Sequence, residues 1–145
     1  MTIVERPDGT PERYLPPISD AAIGFWDATR IPRLDLQRCD DCGRAIHFPR
    51  ELCPHCRGTR LGYRPAAGTG TIHAVTVMVT PGAAFMADRA PYPVVLVDLD
   101  EGVRLMSNLV GPGALDGAVG DRVEVVWEPL ADGRHLPLFQ VIAPA

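Results

Sequence analysis

The sequence predicts a mostly β chain in three parts: a short N-terminal helix, a four-cysteine metal ribbon and a five-stranded barrel. Three observations predict it. All four cysteines lie within CDDCGRAIHFPRELCPHC, Cys39 to Cys56, and five strand-like apolar segments follow from Gly68 onward. The chain also spends 14 Gly and 15 Pro on 145 residues, which favours short strands and many turns over long helices. The expected boundaries are an arm and helix over 1–35, the ribbon over 36–66 and the barrel over 67–145.

Residues 1–18 are polar and Pro-rich, so they predict an extended arm. Ser19 or Asp20 is positioned to cap a short helix, DAAIGFWDATR, that must stop before Pro32. Phe25 and Trp26 are neighbours on a helix of about three turns, and two large aromatics there need cover on both sides. Docking on the chain's own body and docking on a partner both meet that need. The pair is therefore a candidate partner-binding surface.

The cysteine spacing is C-x2-C, ten residues, C-x2-C. Two such pairs can close a tetrahedral thiolate shell around zinc, each pair forming a knuckle. Gly43 and Gly58 sit where a positive φ turns backbone N–H groups toward sulfur. Cys39, Cys42, Cys53 and Cys56 are thus the expected ligands of one structural zinc. Disulfides and a redox C-x-x-C compete, but a redox pair belongs at a helix start in an α/β context. His47 and His55 are alternative ligands that four thiolates make unnecessary. Four cysteines leave no open position for substrate, so the site is expected to be structural. A module this small cannot bury enough core to fold unaided, and zinc binding supplies ~10–16 kcal/mol in comparable peptides.

Beyond Gly68 the reading is all β. GTIHAVTVMVT is a long Val/Thr strand, and YPVVLVDL is apolar on both faces and should lie inside. DEG turns the chain into RLMSNLV, with Gly102 free to take positive φ. RVEVVWEP puts Val123, Val125 and Trp127 on one face, and PLFQVIA closes the chain. Five strands fit a small closed barrel, for which the OB-fold is the five-stranded choice; an SH3-like barrel or a sandwich shares the pattern. The 80–91 connection is too long for a tight turn, and Phe85, Met86 and Arg89 make it a candidate substrate- or partner-facing loop. The glycines of 111–121 argue against a long helix there.

Charge and missing residue types narrow the function. All 14 basic residues are Arg, and eight of them fall within residues 30–64 beside four acids, although the whole chain carries −4. Such a module suits carboxylate, phosphate or acidic protein surfaces, and an ordinary solvated surface equally. Without Lys the chain cannot form a Schiff base, and neither Ser19 nor Ser107 sits in a nucleophile elbow. His73 and His135 are the remaining candidate bases, and no second group at a diagnostic spacing supports either. No catalytic residue is expected. The charged N-terminus does not resemble a signal peptide and no apolar stretch spans a bilayer, which points to the cytoplasm and reduced thiols. A single-stranded nucleic-acid binder is the rival class, but the barrel half is acidic and its aromatics are not interleaved with Arg.

FWDATR, then L-x-L-Q-R-C-x-x-C-G and F-P-R-x-x-C-P-x-C, then GTGTIHAVTV, YPVVLVDLDEGVRL and VGDRVEV, together resemble the zinc-ribbon/OB-fold proteins called domain of unknown function 35. The resemblance runs over roughly residues 19–142 and rests on the combined order of motifs. It implies an N-terminal helix, a rubredoxin-like ribbon and a C-terminal OB-fold. It also implies a non-catalytic subunit that accompanies thiolase-superfamily enzymes acting on acyl-CoA thioesters. One branch pairs with lipid-transfer-protein-like thiolase homologues as retro-aldolases of steroid-type side chains; another bridges acetoacetyl-CoA thiolase and hydroxymethylglutaryl-CoA synthase. The Arg- and Ala-rich, Lys-free composition favours the aldolase branch.

Overall fold

A computed structural model describes residues 2–4 and 12–143. The expectations for the rest of the arm and for the last two residues lie outside the described residues. The chain is mostly strand, with one short helix, a three-stranded ribbon and a nearly closed five-stranded barrel.

A 3-10 turn (Asp20–Ala22) runs into α1 (Ile23–Ala28). The expected side-chain cap is not made: the Ala22 N–H closes the turn on the Ser19 carbonyl at 2.9 Å instead. At the other end the Thr29 hydroxyl donates to the Trp26 carbonyl at 2.7 Å, and Pro32 ends the run. The helix is anchored from both sides, because the Tyr63 hydroxyl donates to the Ala21 carbonyl and the His135 ring Nδ1 meets the Thr29 carbonyl at 2.8 Å.

The ribbon comprises β1 (Asp35–Cys39), β2 (Ala45–Ile46) and β3 (Leu61–Pro65), antiparallel in the order β2-β1-β3. Its two polar insiders are satisfied. The Gln37 amide brackets Arg50, accepting from its N–H and donating to its carbonyl, both at 2.8 Å. Asp35 takes a two-pronged bond from the Arg33 guanidinium at 2.6 and 2.7 Å.

The barrel strands are β4 (Thr69–Met78), β5 (Tyr92–Leu99), β6 (Arg104–Asn108), β7 (Arg122–Pro129) and β8 (His135–Val141). They pair antiparallel in the order β6-β5-β4-β7-β8, and a bridge between Leu109 and Phe139 brings the two ends together. That connectivity selects the OB-fold from the five-strand patterns. β4 and β7 pair only over Thr69–Thr71 before they part. Further along, residues 2–4 lie against β7, where Val4 and Trp127 exchange bonds with Trp127 and Thr2 at 2.7 and 2.8 Å. The β5 expectation needs correction: Pro93, Val95, Val97 and Leu99 are buried, but the alternate residues are only half-buried. An OB strand has one face on the core, and Val94 on the other face lines a surface groove. Gly102 takes φ 87° in the expected hairpin turn, and 111–121 holds only a 3-10 turn, Ala114–Asp116.

One core joins the parts. Phe25 of the helix and Leu34, Leu36 and Ala45 of the ribbon end pack into the same cluster as Ile72, Val97, Trp127 and Phe139 of the barrel. A second, much smaller cluster, Cys39, Ile46 and Cys53 with Leu61, sits at the far end of the ribbon.

Candidate functional site

The far end of the ribbon is a metal-ligand cage. The Sγ atoms of Cys39, Cys42, Cys53 and Cys56 all lie within 4.8 Å of one another, with the 39–56 and 42–53 pairs at 3.6 Å. A tetrahedral zinc with Zn–S bonds near 2.3 Å has sulfur edges of about 3.8 Å, so the donor set fits zinc. Two knuckles with one backbone pattern build the cage. Gly43 N–H reaches the Cys39 carbonyl and Cys39 N–H the Arg44 carbonyl; Arg57 N–H reaches the Cys53 carbonyl and Cys53 N–H the Gly58 carbonyl. The positive φ falls on the fourth residue after the leading cysteine, so Gly43 has φ 74° and Arg57 has φ 63°. This corrects the expectation for Gly58. Its smallness serves a close approach instead: a Cβ there would collide with the Asp41 carboxylate and sit 3.2 Å from Cys56 Sγ. The Gly58 and His55 N–H groups each point at a sulfur from 3.4 Å, on Cys56 and Cys53.

The thiols show why the cage suits a cation. Burial works against the Cys53 thiolate, but N–H bonds from Cys56 and His55 and the neighbouring thiols outweigh it and bring Cys53 to about 7. Cys56 is pushed up to about 12, because the pull of the Gly58 N–H is outweighed by burial and the other three sulfurs. Four thiolates so close cannot all ionise without a cation, and a divalent metal removes that conflict.

The remaining candidates fall differently from expectation. Phe25 is 6% exposed and packs edge-on to Trp26, so its side chain faces this chain's own core and not outward. Trp26 stays half-buried, with the Arg134 guanidinium 4.7 Å from its ring centroid. The 80–91 connection folds into a 3-10 turn, Ala84–Arg89, that lies back on the barrel. Met86 is buried there and Arg89 turns inward to Glu128, although the sequence made both candidates for a substrate- or partner-facing loop. Phe85 is half-buried beside Tyr14.

Glu128 was not singled out in the sequence. Its side chain is 2% exposed and it accepts from both Arg89 and Arg13, while Arg13 also reaches the Met86 sulfur at 3.5 Å. Only the alternation of RVEVVWEP marked the strand; nothing local connects positions 115 residues apart. His73 lies on the β4 bulge, 3.4 Å from an Asp98 carboxylate that Arg104 also holds. His135 is fixed to the helix end. Trp127 and Phe139 belong to the core, so half of the barrel aromatics offer no base a stacking face, which weakens the nucleic-acid reading.

A groove of about 810 Å³ opens between the helix, the ribbon segment His47–Pro49, the 84–89 turn and strands β5, β6 and β8. His47 lines it. Burial holds its imidazole well down, at about 4, and its Nδ1 is buried without a partner among the described residues.

Comparison with known proteins gives this architecture a family. Residues 26–62 match the ChsH2 rubredoxin-like zinc ribbon domain and residues 63–128 the ChsH2 C-terminal OB-fold domain. A DUF35 domain-containing scaffold protein of Methanothermobacter thermautotrophicus is 35% identical over 66% of this chain and 71% of its own length. The chain belongs to the DUF35 family. It is also similar to a probable enoyl-CoA hydratase alpha subunit of Thermomonospora curvata, 36% identical over 83% of the chain. A 3-oxo-4,17-pregnadiene-20-carboxyl-CoA hydratase alpha subunit of Mycobacterium tuberculosis is 28% identical over 86% of the chain. The chain spans only 37% and 40% of the length of these two hydratase subunits. Among solved structures, a chain of the Ltp2-ChsH2(DUF35) aldolase superposes with a TM-score of 0.78 at 34% identity, covering 88% of this chain and 98% of that one. DUF35 members thus supply the zinc-ribbon identity of the four-cysteine cage. Among the described residues, no helix is long and apolar enough to cross a membrane.

Proposed function

We propose that this chain is a non-catalytic, zinc-holding subunit of a thiolase-like acyl-CoA enzyme, and that the complex is a retro-aldolase acting on steroid-type side-chain CoA thioesters in the cytoplasm. The observation that carries this reading is the superposition on almost the whole of a chain from the Ltp2-ChsH2(DUF35) aldolase. The steroid-CoA name of the mycobacterial relative supports the substrate class. In this reading arm and helix (1–35), ribbon (36–66) and barrel (67–145) act as one preformed surface. The zinc on Cys39, Cys42, Cys53 and Cys56 supplies folding energy and no chemistry. Trp26 and the outer side of the Phe85-Met86-Arg89 turn contribute to the docked face, and the lipid-transfer-protein-like partner contributes the catalytic groups.

Co-expression with a thiolase-like partner, followed by mass measurement and a cleavage assay on a β-hydroxyacyl-CoA of steroid type, tests it. A stable complex should release a ketone and a shortened acyl-CoA, while this chain alone releases nothing. Turnover by the chain alone would reassign the catalytic role. The scaffold name of the methanogen relative favours a second reading, a bridge between acetoacetyl-CoA thiolase and hydroxymethylglutaryl-CoA synthase. Simultaneous capture of two enzymes, without carbon–carbon cleavage of the steroid-type thioester, would select it.

A further inference from the structure

The groove has features that subunit docking does not require. Its volume of about 810 Å³ lies within the range of small-molecule sites, roughly 300–1,000 Å³. Four elements distant in sequence converge on it, and Phe25, Phe48, Met86, Leu105 and Leu138 make its lining overwhelmingly apolar. Methionines at 86 and 106 let such a wall adapt to an occupant's outline.

Its charge is unusual for this chain. The protein carries a net −4, yet among the described residues no carboxylate lines the groove, and the only charged side chain that does is Arg13. Behind Arg13, one buried carboxylate, Glu128, is shared between two guanidiniums, those of Arg13 and Arg89. Among the described residues, two guanidiniums thus share one carboxylate, and Arg89, behind the groove wall, keeps its Nε and Nη2 buried without a partner. Burial lowers the Arg13 pKa first; Glu128 opposes that shift, and the neighbouring Arg89 charge adds to it. A buried excess charge is costly unless an opposite charge approaches.

We propose that this groove binds an amphipathic acid, an apolar chain or fused-ring body seated against Trp26, Phe48 and Met106 with its carboxylate or other acidic group at Arg13. The site belongs to this chain by itself and does not depend on the subunit role proposed above. A single cation and an apolar wall suit neither a polyanion nor a neutral hydrocarbon as well as they suit a molecule with one acidic end.

Calorimetric titration of the zinc-loaded full chain with decanoate, decan-1-ol and decylamine tests this, all kept below their aggregation limits. Decanoate should bind one per chain, at least about tenfold tighter than the alcohol, with the amine weakest. Arg13→Gln should bring decanoate down to the level of the alcohol while leaving the alcohol unchanged. Met106→Trp, at a position 69% exposed and so tolerant of change, should block both probes by filling the groove mouth. Equal binding of acid, alcohol and amine would overturn the proposal, as would decanoate binding that survives both substitutions or is undetectable at about 1 mM. Binding to the free chain that disappears in the partner complex would also overturn it, by making the groove a seat for partner side chains. Complex formation and cleavage activity are read separately, so failure here leaves the subunit reading standing.

Discussion

The two ends of the ribbon are held by different physics. At the barrel end Leu34, Leu36 and Ala45 are part of a core that also contains Ile72, Val97 and Phe139, so apolar burial fixes them. At the knuckle end only Ile46 and Leu61 accompany Cys39 and Cys53, too little apolar surface to order the turns by burial. One three-stranded sheet thus changes from packing to metal ligation over the length of β1. The first should tolerate loss of metal, and the second loss of core volume.

Breaking the metal end should give the largest effect. Cys39→Ser, or stripping with a strong chelator, should remove a contribution on the order of 10 kcal/mol from the knuckles. Amide exchange should then show protection lost around residues 39–61 and largely kept in β5 and β6. Uniform loss across both regions would mean the two ends are not separable. Breaking the other end should have the reverse pattern. Phe139→Ala, at a fully buried position, should cost about 3–5 kcal/mol and lower the barrel's melting temperature. Metal analysis should still find one zinc per chain.

His47 sits between the two ends and sharpens the comparison through pH. Its folded value of about 4 lies below the ordinary 6.5, so the unfolded chain takes up the proton first as pH falls. The stabilisation is complete above about 6.5 and is lost progressively as pH falls toward 4, amounting to about 3 kcal/mol. Chemical denaturation of wild type and His47→Phe across that range should show the extra slope in the wild type only. The smallest effect concerns the two knuckles themselves. Arg57 holds the left-handed backbone that glycine holds at 43, so Arg57→Gly should stabilise the metal end by up to ~1 kcal/mol. Gly43→Ala should do the opposite, and thermal melts of the zinc-loaded protein will show both.

What was legible in the sequence follows from the range of the interactions. The cage was readable because its four ligands are supplied within one short segment at fixed spacing. β5 and β7 were readable to the residue, since alternation and turn formers are local signals. The knuckle rule was only half readable, because glycine marks a left-handed position at 43 but Arg57 fills the matching one without announcing it. The fate of the 80–91 loop was hidden: Met86 and Arg89 turn inward because Glu128 and the arm lie beneath them, and no local pattern relates these segments. The groove was hidden for the same reason, since its walls come together only when helix, ribbon and barrel share one core.

The seating of the arm on β7 has a consequence for how the chain is made. Every zinc ligand has emerged by residue 56, so the knuckles can close early in synthesis. The arm is made well before β7, yet Ile3 finds its bridge only at Trp127, Arg13 its counter-charge only at Glu128, and the Pro16 carbonyl its donor only at Arg134. The arm therefore waits for its seat longer than the ribbon does. During that interval the arm is without the β7 edge it later pairs with, and it is the stretch where a holding chaperone has most to protect.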